Sequence, residues 1–158
     1  MPVSGRKSLV LLALLGVSGL VGACAHPLPQ PERLSWNYFF DGQEAKLAYG
    51  RPNSDEVGLM MTCAPHSGSV LVSSDATAGQ PRLILVSGKS KSTLKGSAEV
   101  DPLTGTTQAH AAASLREAAL AGFARSGRLS VERDGRSLDM PASLGDRDAV
   151  RRFFSACG

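Results

Sequence analysis

The sequence predicts an α+β fold: a small antiparallel β-sheet or sandwich-like domain with two helices packed on it. Two Asp-Gly dipeptides lie between stretches in which apolar and polar residues alternate, a pattern typical of β-hairpins. Two other segments space their apolar residues three and four positions apart, as amphipathic helices do. The composition, with 42% hydrophobic and 20% charged residues, is ordinary for a globular protein.

The first predicted hairpin turns at Asp41-Gly42, a dipeptide that favours a two-residue type I′ turn. Counting outward from this turn gives cross-strand pairs on one face: Tyr38 with Ala45, Trp36 with Leu47, and Leu34 with Tyr49. The segment holds five of the eight aromatic residues of the chain, namely Trp36, Tyr38, Phe39, Phe40 and Tyr49. They form either an aromatic core, the commoner arrangement, or an aromatic binding surface.

Three more strands are predicted after this hairpin. Residues 57–63 alternate apolar and small or polar side chains, and residues 69–73 return after the chain breaks at Pro65 and Gly68. Residues 82–87 are the most continuous apolar run, so we expect this strand in the middle of a sheet. Residues 88–108 are polar and predict either one long hairpin or a mobile loop.

The remaining elements alternate between helix and hairpin. Ser114 and Glu117 match a capping box, which predicts a helix that runs to Arg125 and ends at Gly127. A second hairpin turns at residues 134–135, with the pairs Val131–Leu138 and Leu129–Met140. Residues 146–156 predict a last helix, with apolar residues at helical spacing: Val150, Phe153, Phe154 and Cys157.

The N-terminus has the pattern of an export signal. Arg6 and Lys7 precede an uncharged apolar run of 15 residues (9–23), which is shorter than the ~20 residues of a membrane-spanning helix. The segment Val21-Gly22-Ala23-Cys24 resembles the lipobox of bacterial lipoproteins, in which the cysteine is acylated, palmitate included, and becomes the new N-terminus. The alternative is ordinary cleavage after Ala25, because residues 23–25 also fit an A-x-A site.

The resemblance to lipoproteins implies three regions. Residues 1–23 are the signal peptide, residues 24–33 are the lipidated Cys24 and a proline-rich tether, and residues 34–158 are a single globular domain. The membrane, reached through the anchor at Cys24, is then one partner. Because Ala25 rather than Asp follows the cysteine, the resemblance also implies the outer membrane, with the domain facing the periplasm.

Export also predicts a disulfide bond. The chain has three cysteines, and either cleavage scheme removes Cys24 from the count of free thiols. Cys63 and Cys157 remain, and in an oxidising compartment we expect them to pair.

The charge balance argues against nucleic acid as a partner. Arg6 and Lys7 leave with the signal peptide, so 15 of the 17 basic residues remain against 14 acidic ones, a net charge of +1. A nearly neutral chain lacks the basic excess of nucleic-acid-binding domains.

No motif in the sequence predicts a catalytic residue, a cofactor or a metal. Cys63 and His66 have C-x-x-H spacing, but a structural zinc site needs about four ligands. The G-x-S-x-G elbow of serine hydrolases does not occur. Three closely spaced lysines could touch an anionic lipid, a glycan or an acidic partner, although a solvated hairpin tip is the commoner case: Lys89, Lys91 and Lys95.

These observations predict an envelope-anchored lipoprotein without enzymatic activity, which acts as a binding, adaptor or assembly module with an envelope protein as a possible partner. An exposed apolar patch that includes Phe39 and Phe40 would favour a subunit of an envelope complex. A hydrolase of envelope substrates is one alternative, and it would need His66 or His110 beside a serine and an acid in a cleft.

The other alternative is an inhibitor of a cell-wall-degrading enzyme. Small lipidated β-proteins that inhibit lysozyme pair a cysteine near a strand with one near the C-terminus. Cys63 and Cys157, together with the loop Ser87-Gly88-Lys89, are similar to that layout. Those inhibitors carry a tyrosine close behind their Ser-Gly loop, and no tyrosine follows Tyr49 here.

Overall fold

Ten strands and two helices follow one another along residues 33–76, 81–103, 105–133 and 135–158, the part of the 158-residue chain that the computed structural model describes. These residues belong to one compact unit, Pro31–Gly158. The predicted signal peptide, Cys24 and nearly all of the predicted tether lie outside the described residues. The elements are β1 (Ser35–Phe40), β2 (Ala45–Gly50), β3 (Val57–Cys63), β4 (Ser69–Asp75), β5 (Arg82–Ser87), β6 (Ser90–Lys95), β7 (Ser97–Val100), β8 (Thr107–Ser114), α1 (Ala118–Ser126), β9 (Arg128–Arg133), β10 (Arg136–Pro141) and α2 (Asp146–Cys157).

The strands form two antiparallel sheets, which confirms the predicted α+β, sandwich-like fold. One sheet has six strands in the order β1-β2-β3-β4-β8-β7, and the other has four in the order β10-β9-β5-β6. Helix α2 packs on β1 and β2, helix α1 packs on β5, β6 and β9, and β8 of the first sheet lies against β5 and β6 of the second. As predicted, the apolar strand β5 is interior to its sheet.

One core joins both sheets and both helices. Trp36 on β1 lies at its centre, with its ring centroid 4.7 Å from that of Phe123 on α1 and 5.2 Å from that of Tyr49 on β2. Its indole Nε1–H donates a hydrogen bond of 3.1 Å to the carbonyl oxygen of Met140 on β10. This buried bond therefore connects the six-stranded sheet to the four-stranded one.

The predicted disulfide bond between Cys63 and Cys157 is confirmed. It joins the last residue of β3 to the last residue of α2, with 5.8 Å between the Cα atoms. Two backbone hydrogen bonds of 2.8 Å lie beside it, from His66 N–H to the Ala156 carbonyl and from Gly68 N–H to the Cys157 carbonyl. The C-terminal end of α2 is thus held on the six-stranded sheet both covalently and through its carbonyl groups.

The chain passes from one sheet to the other at Gly96, between β6 and β7. A Cβ atom at this position would overlap the carbonyl oxygen of His110 on β8. Gly96 N–H meanwhile donates a 2.9 Å hydrogen bond to the Pro81 carbonyl. Glycine is therefore required here by the close approach of two backbones.

The predicted register of the first hairpin was wrong by two residues. The observed pairs are Trp36–Tyr49 and Tyr38–Leu47, and four residues (41–44) form the loop instead of two. The carboxylate of Asp41 accepts N–H bonds from Gln43 at 2.9 Å and Glu44 at 2.8 Å, and these bonds lower the pKa of Asp41. A two-residue shift leaves every side chain on its predicted face, because strand side chains alternate with period two.

The second hairpin has the predicted register, with Val131 opposite Leu138 and Leu129 opposite Met140.

The predicted capping box was wrong: Ser114 is the last residue of β8, and Glu117 at the N-cap of α1 makes no side-chain capping bond. Instead the Ser114 hydroxyl accepts the N–H of Arg116 in the turn before the helix. The predicted end of α1 at Gly127, with a positive φ of 68°, is confirmed.

Candidate functional site

Both helices lie on the inner sides of the sheets. On α1, Ala119 N–H donates to the buried hydroxyl of Ser92 on β6, and on α2, Cys157 bonds to the buried Cys63 on β3. These partners point the same way as the core residues of their own strands. The outer face of each sheet is consequently left uncovered by either helix.

The outer face of the six-stranded sheet carries two rows of side chains that the strand register places next to one another. One row runs Asn37, Ala48, Met60, Ser73, His110 and Ser97, and the other runs Phe39, Lys46, Thr62, Leu71 and Ala112. We call these eleven residues the open face.

Large apolar side chains on the open face are strongly exposed: Phe39 is 58%, Leu71 44% and Met60 37% accessible. Lys46 is the one Asp, Glu, Lys or Arg residue in the two rows. Its ammonium lies 3.0 Å from the Glu44 carboxylate, and the hydrogen bond and charge of Glu44 raise the pKa of Lys46. The open face therefore combines large exposed apolar side chains with mostly neutral polar ones, and it carries little uncompensated charge.

The aromatic residues of the first hairpin are split between the two predicted arrangements, an aromatic core and an exposed surface. Trp36 and Tyr49 are buried in the core, whereas Phe39 and Phe40 at the end of β1 are more than half exposed, at 58% and 52%. Sequence reasoning did not single out Met60 and Leu71. The available signal was an apolar side chain at an outward position of an alternating strand, where a polar residue is usual.

Ser73 and His110 form a direct polar contact on the open face. They lie opposite each other on β4 and β8, and Ser73 Oγ is 2.8 Å from His110 Nδ1. Ser73 donates or accepts in this bond according to the imidazole tautomer. Among the described residues, no carboxylate makes an ion pair with His110. Neither Ser73 nor His110 lines any of the four best-formed cavities in this part of the chain.

His66 and Cys63 serve structural roles at the other end of the sheet. His66 Nδ1 is 3.1 Å from the carbonyl oxygen of Gly158, close to the disulfide bond. Because Cys63 is oxidised, it presents neither a nucleophilic thiolate nor a thiolate metal ligand. Within the described ranges, no group of three His, Cys, Asp or Glu residues could hold a metal ion.

The three predicted interaction lysines are spread along one hairpin. Lys89 lies in the turn after β5, Lys91 on β6 pairs with Glu132 on β9, and Lys95 at the far end of β6 lies opposite Arg82. In the same turn region, the hydroxyl of Ser87 is buried and donates to the Arg128 carbonyl at 2.7 Å. The lysines therefore line the hairpin and its outer face without forming one compact cluster.

No helix among the described residues is long and apolar enough to span a bilayer. Comparison of the chain with known protein families, curated protein sequences and solved structures found no match.

Proposed function

We propose that this chain is a non-enzymatic, lipid-anchored module of the bacterial envelope, which binds an envelope protein through the open face. The observation that carries this proposal is the exposure of Phe39, Met60 and Leu71 on an uncovered sheet surface. The export signal, the lipobox-like segment and the tether supply the envelope location as an expectation from sequence.

The composition of the open face favours a protein as its partner. The centres of protein interfaces are enriched in aromatic residues and methionine and depleted of charged residues. Phe39 and Met60 match the first property, and the single, ion-paired Lys46 matches the second. We therefore propose a partner with an apolar, weakly charged surface, whose binding removes these side chains from water.

The predicted tether suits binding close to a membrane. Residues 25–33 include three prolines, and an extended proline-rich stretch spans ~3.1 Å per residue, so the domain could stand roughly 25–30 Å from its anchor. That reach favours a partner that is itself embedded in, or attached to, the same membrane. Confinement to one surface also raises the effective concentration of the two proteins.

The surroundings of the Ser73–His110 contact favour binding over hydrolysis. Ser73 and His110 are neighbours on the outer face of a sheet, and no described residue gives them the orienting acid or the enclosed pocket that a hydrolytic triad uses. Their hydrogen bond instead satisfies two polar groups in the middle of a surface that a partner would cover.

Site-specific crosslinking in cells tests the proposal. The photoreactive residue p-benzoylphenylalanine replaces Met60 in the full chain, and Thr93, exposed on the outer face of the four-stranded sheet, is the matched control position. We expect a discrete heterologous product from position 60 and none from position 93.

A second variant decides whether that product reports on the open face. Phe39→Ser combined with Leu71→Ser should abolish crosslinking from position 60 while changing the free energy of unfolding little, because exposed positions usually tolerate substitution within about 0.5 kcal/mol. Equal products from both sheets, a product that survives the double substitution, or a product made only of two copies of this chain would contradict the proposal.

A further inference from the structure

Three arginines converge on a cleft at one end of the four-stranded sheet. Arg82 begins β5, Arg133 ends β9 and Arg136 begins β10, and all three line a cavity of about 560 Å³. A neighbouring cavity of about 520 Å³ shares Arg133 and Arg136 with the first. We call the two cavities together the arginine cleft.

The carboxylates that the structure describes in the cleft, Asp75 and Glu132, do not balance these arginines. Glu132 is engaged by Lys91, and Asp75 lies 3.9 Å from Arg133, at the outer limit of an ion pair. Neither Arg82 nor Arg136 forms an ion pair with any other described residue. Two guanidinium groups therefore line the cleft without an acidic partner in the described part of the chain.

Strand pairing sets like charges against each other at this end of the sheet. Arg133 lies directly opposite Arg136 on β9 and β10, and Arg82 lies directly opposite Lys95 on β5 and β6. Like charges in directly opposed cross-strand positions are destabilising. Two such pairs at the same end of one sheet create a local positive potential that a bound anion would relieve.

The geometry points to the arginine cleft as a binding site for the phosphate group of an anionic ligand. Guanidinium groups bind phosphate through two parallel charge-assisted hydrogen bonds, which makes arginine the preferred side chain for this anion. Leu83, Val131 and Leu138 provide apolar wall, so the cleft suits a phosphate that carries an organic group. The ligand is either a soluble phosphate ester or the headgroup of a phospholipid.

The site is separate from the surface proposed above for protein binding. No residue of the open face lines either cavity. Loss of anion binding and loss of crosslinking are therefore expected from different substitutions, and one proposal can fail while the other stands.

Titration of the full chain, purified in a neutral detergent, tests the inference. One arm uses inorganic pyrophosphate and the other uses short-chain phosphatidylglycerol in the same detergent, with short-chain phosphatidylcholine as a zwitterionic reference. Amide chemical shifts report binding, and we expect saturable changes at residues 82, 133 and 136. Saturation by pyrophosphate identifies a soluble phosphate ligand, whereas saturation by phosphatidylglycerol alone identifies a headgroup.

Matched double variants separate a site from a general charge effect. Arg82→Gln with Arg136→Gln should weaken binding about tenfold or more, because each lost charge-assisted bond reduces affinity. Arg116→Gln with Arg125→Gln removes the same charge from exposed positions around α1 and should change affinity less than about twofold. Equal weakening by both variants, or no saturation in either arm, would overturn the inference.

Discussion

The outer faces of the two sheets differ in chemistry although both sheets contribute to one core. The outer face of the six-stranded sheet exposes Phe39, Met60 and Leu71 and has a single charged residue in its two central rows. The outer face of the four-stranded sheet instead carries ionic side chains, including the Lys91–Glu132 pair. Burial in the core constrains only the inward positions of each strand, so the outward positions are where the two sheets can specialise.

The difference has a physical consequence for association. Charged side chains on a sheet oppose unwanted contact with other proteins, because they must be desolvated or paired when they are covered. An apolar sheet face has the opposite property, since covering it releases free energy. This difference supports the proposed protein partner of the six-stranded sheet and the proposed anion site at the arginine end of the four-stranded sheet.

The largest expected effect on stability comes from removing the disulfide bond, which joins α2 to the six-stranded sheet. Cys63→Ala with Cys157→Ala opens a link across 94 residues and should lower the free energy of unfolding by about 2–5 kcal/mol. Urea denaturation of the full chain measures this loss. Hydrogen exchange should show that the amides of β3 and α2 lose more protection than those of β5 and β9. A uniform loss of protection would mean that the disulfide bond stabilises both sheets equally.

Trp36→Phe tests the bond that joins the two sheets. The substitution removes the buried hydrogen bond to the Met140 carbonyl and part of the packing of the indole ring, at an expected cost of about 1–3 kcal/mol. The measurement is again urea denaturation, with Phe39→Leu on the outer side of the same strand as the control. A loss no larger than that of the control would show that the indole bond contributes little to joining the sheets.

The smallest expected effect concerns the stability of the protein at alkaline pH, through Tyr49 on β2 of the six-stranded sheet. Burial, and then the negative charge of Asp146, raise the pKa of Tyr49 above its ordinary value of 10.0. The unfolded chain therefore loses this proton first, so the stability is fully present below pH 10 and falls as the pH rises further. Tyr49→Phe should reduce this fall relative to the wild-type chain in thermal unfolding at pH 9–11, and an unchanged slope would contradict the assignment.

Local patterns were sufficient for much of the fold. Alternation predicted β3 and a continuous apolar run predicted β5, both with their observed bounds, and the second Asp-Gly dipeptide predicted the register of its hairpin. The first such dipeptide misled, because the Asp41 side chain accepts two backbone N–H groups and so supports a longer loop. A side chain that competes with the backbone for hydrogen bonds is visible only once the loop is folded.

Only part of the candidate site could be predicted from the sequence. The sequence singles out Phe39 and Phe40 as candidates for an exposed patch, and both side chains are exposed, although only Phe39 belongs to the open face. The Ser73–His110 contact joins residues 37 positions apart through the pairing of β4 with β8, which no local pattern encodes. The lysines, close in sequence, proved to be distributed along a strand, because a strand advances ~3.3 Å with each residue.

The sequence by itself predicted an export signal, and it determined the pairing of Cys63 with Cys157, the class of the fold and the inward face of most strands. These depend on local composition, on spacing and on the small number of available partners. Only the tertiary structure decided which strands share a sheet, which apolar residues are left uncovered and that arginines 82, 133 and 136 meet in one cleft. Contacts between distant segments depend on how whole sheets and helices pack, and that arrangement is settled cooperatively rather than residue by residue.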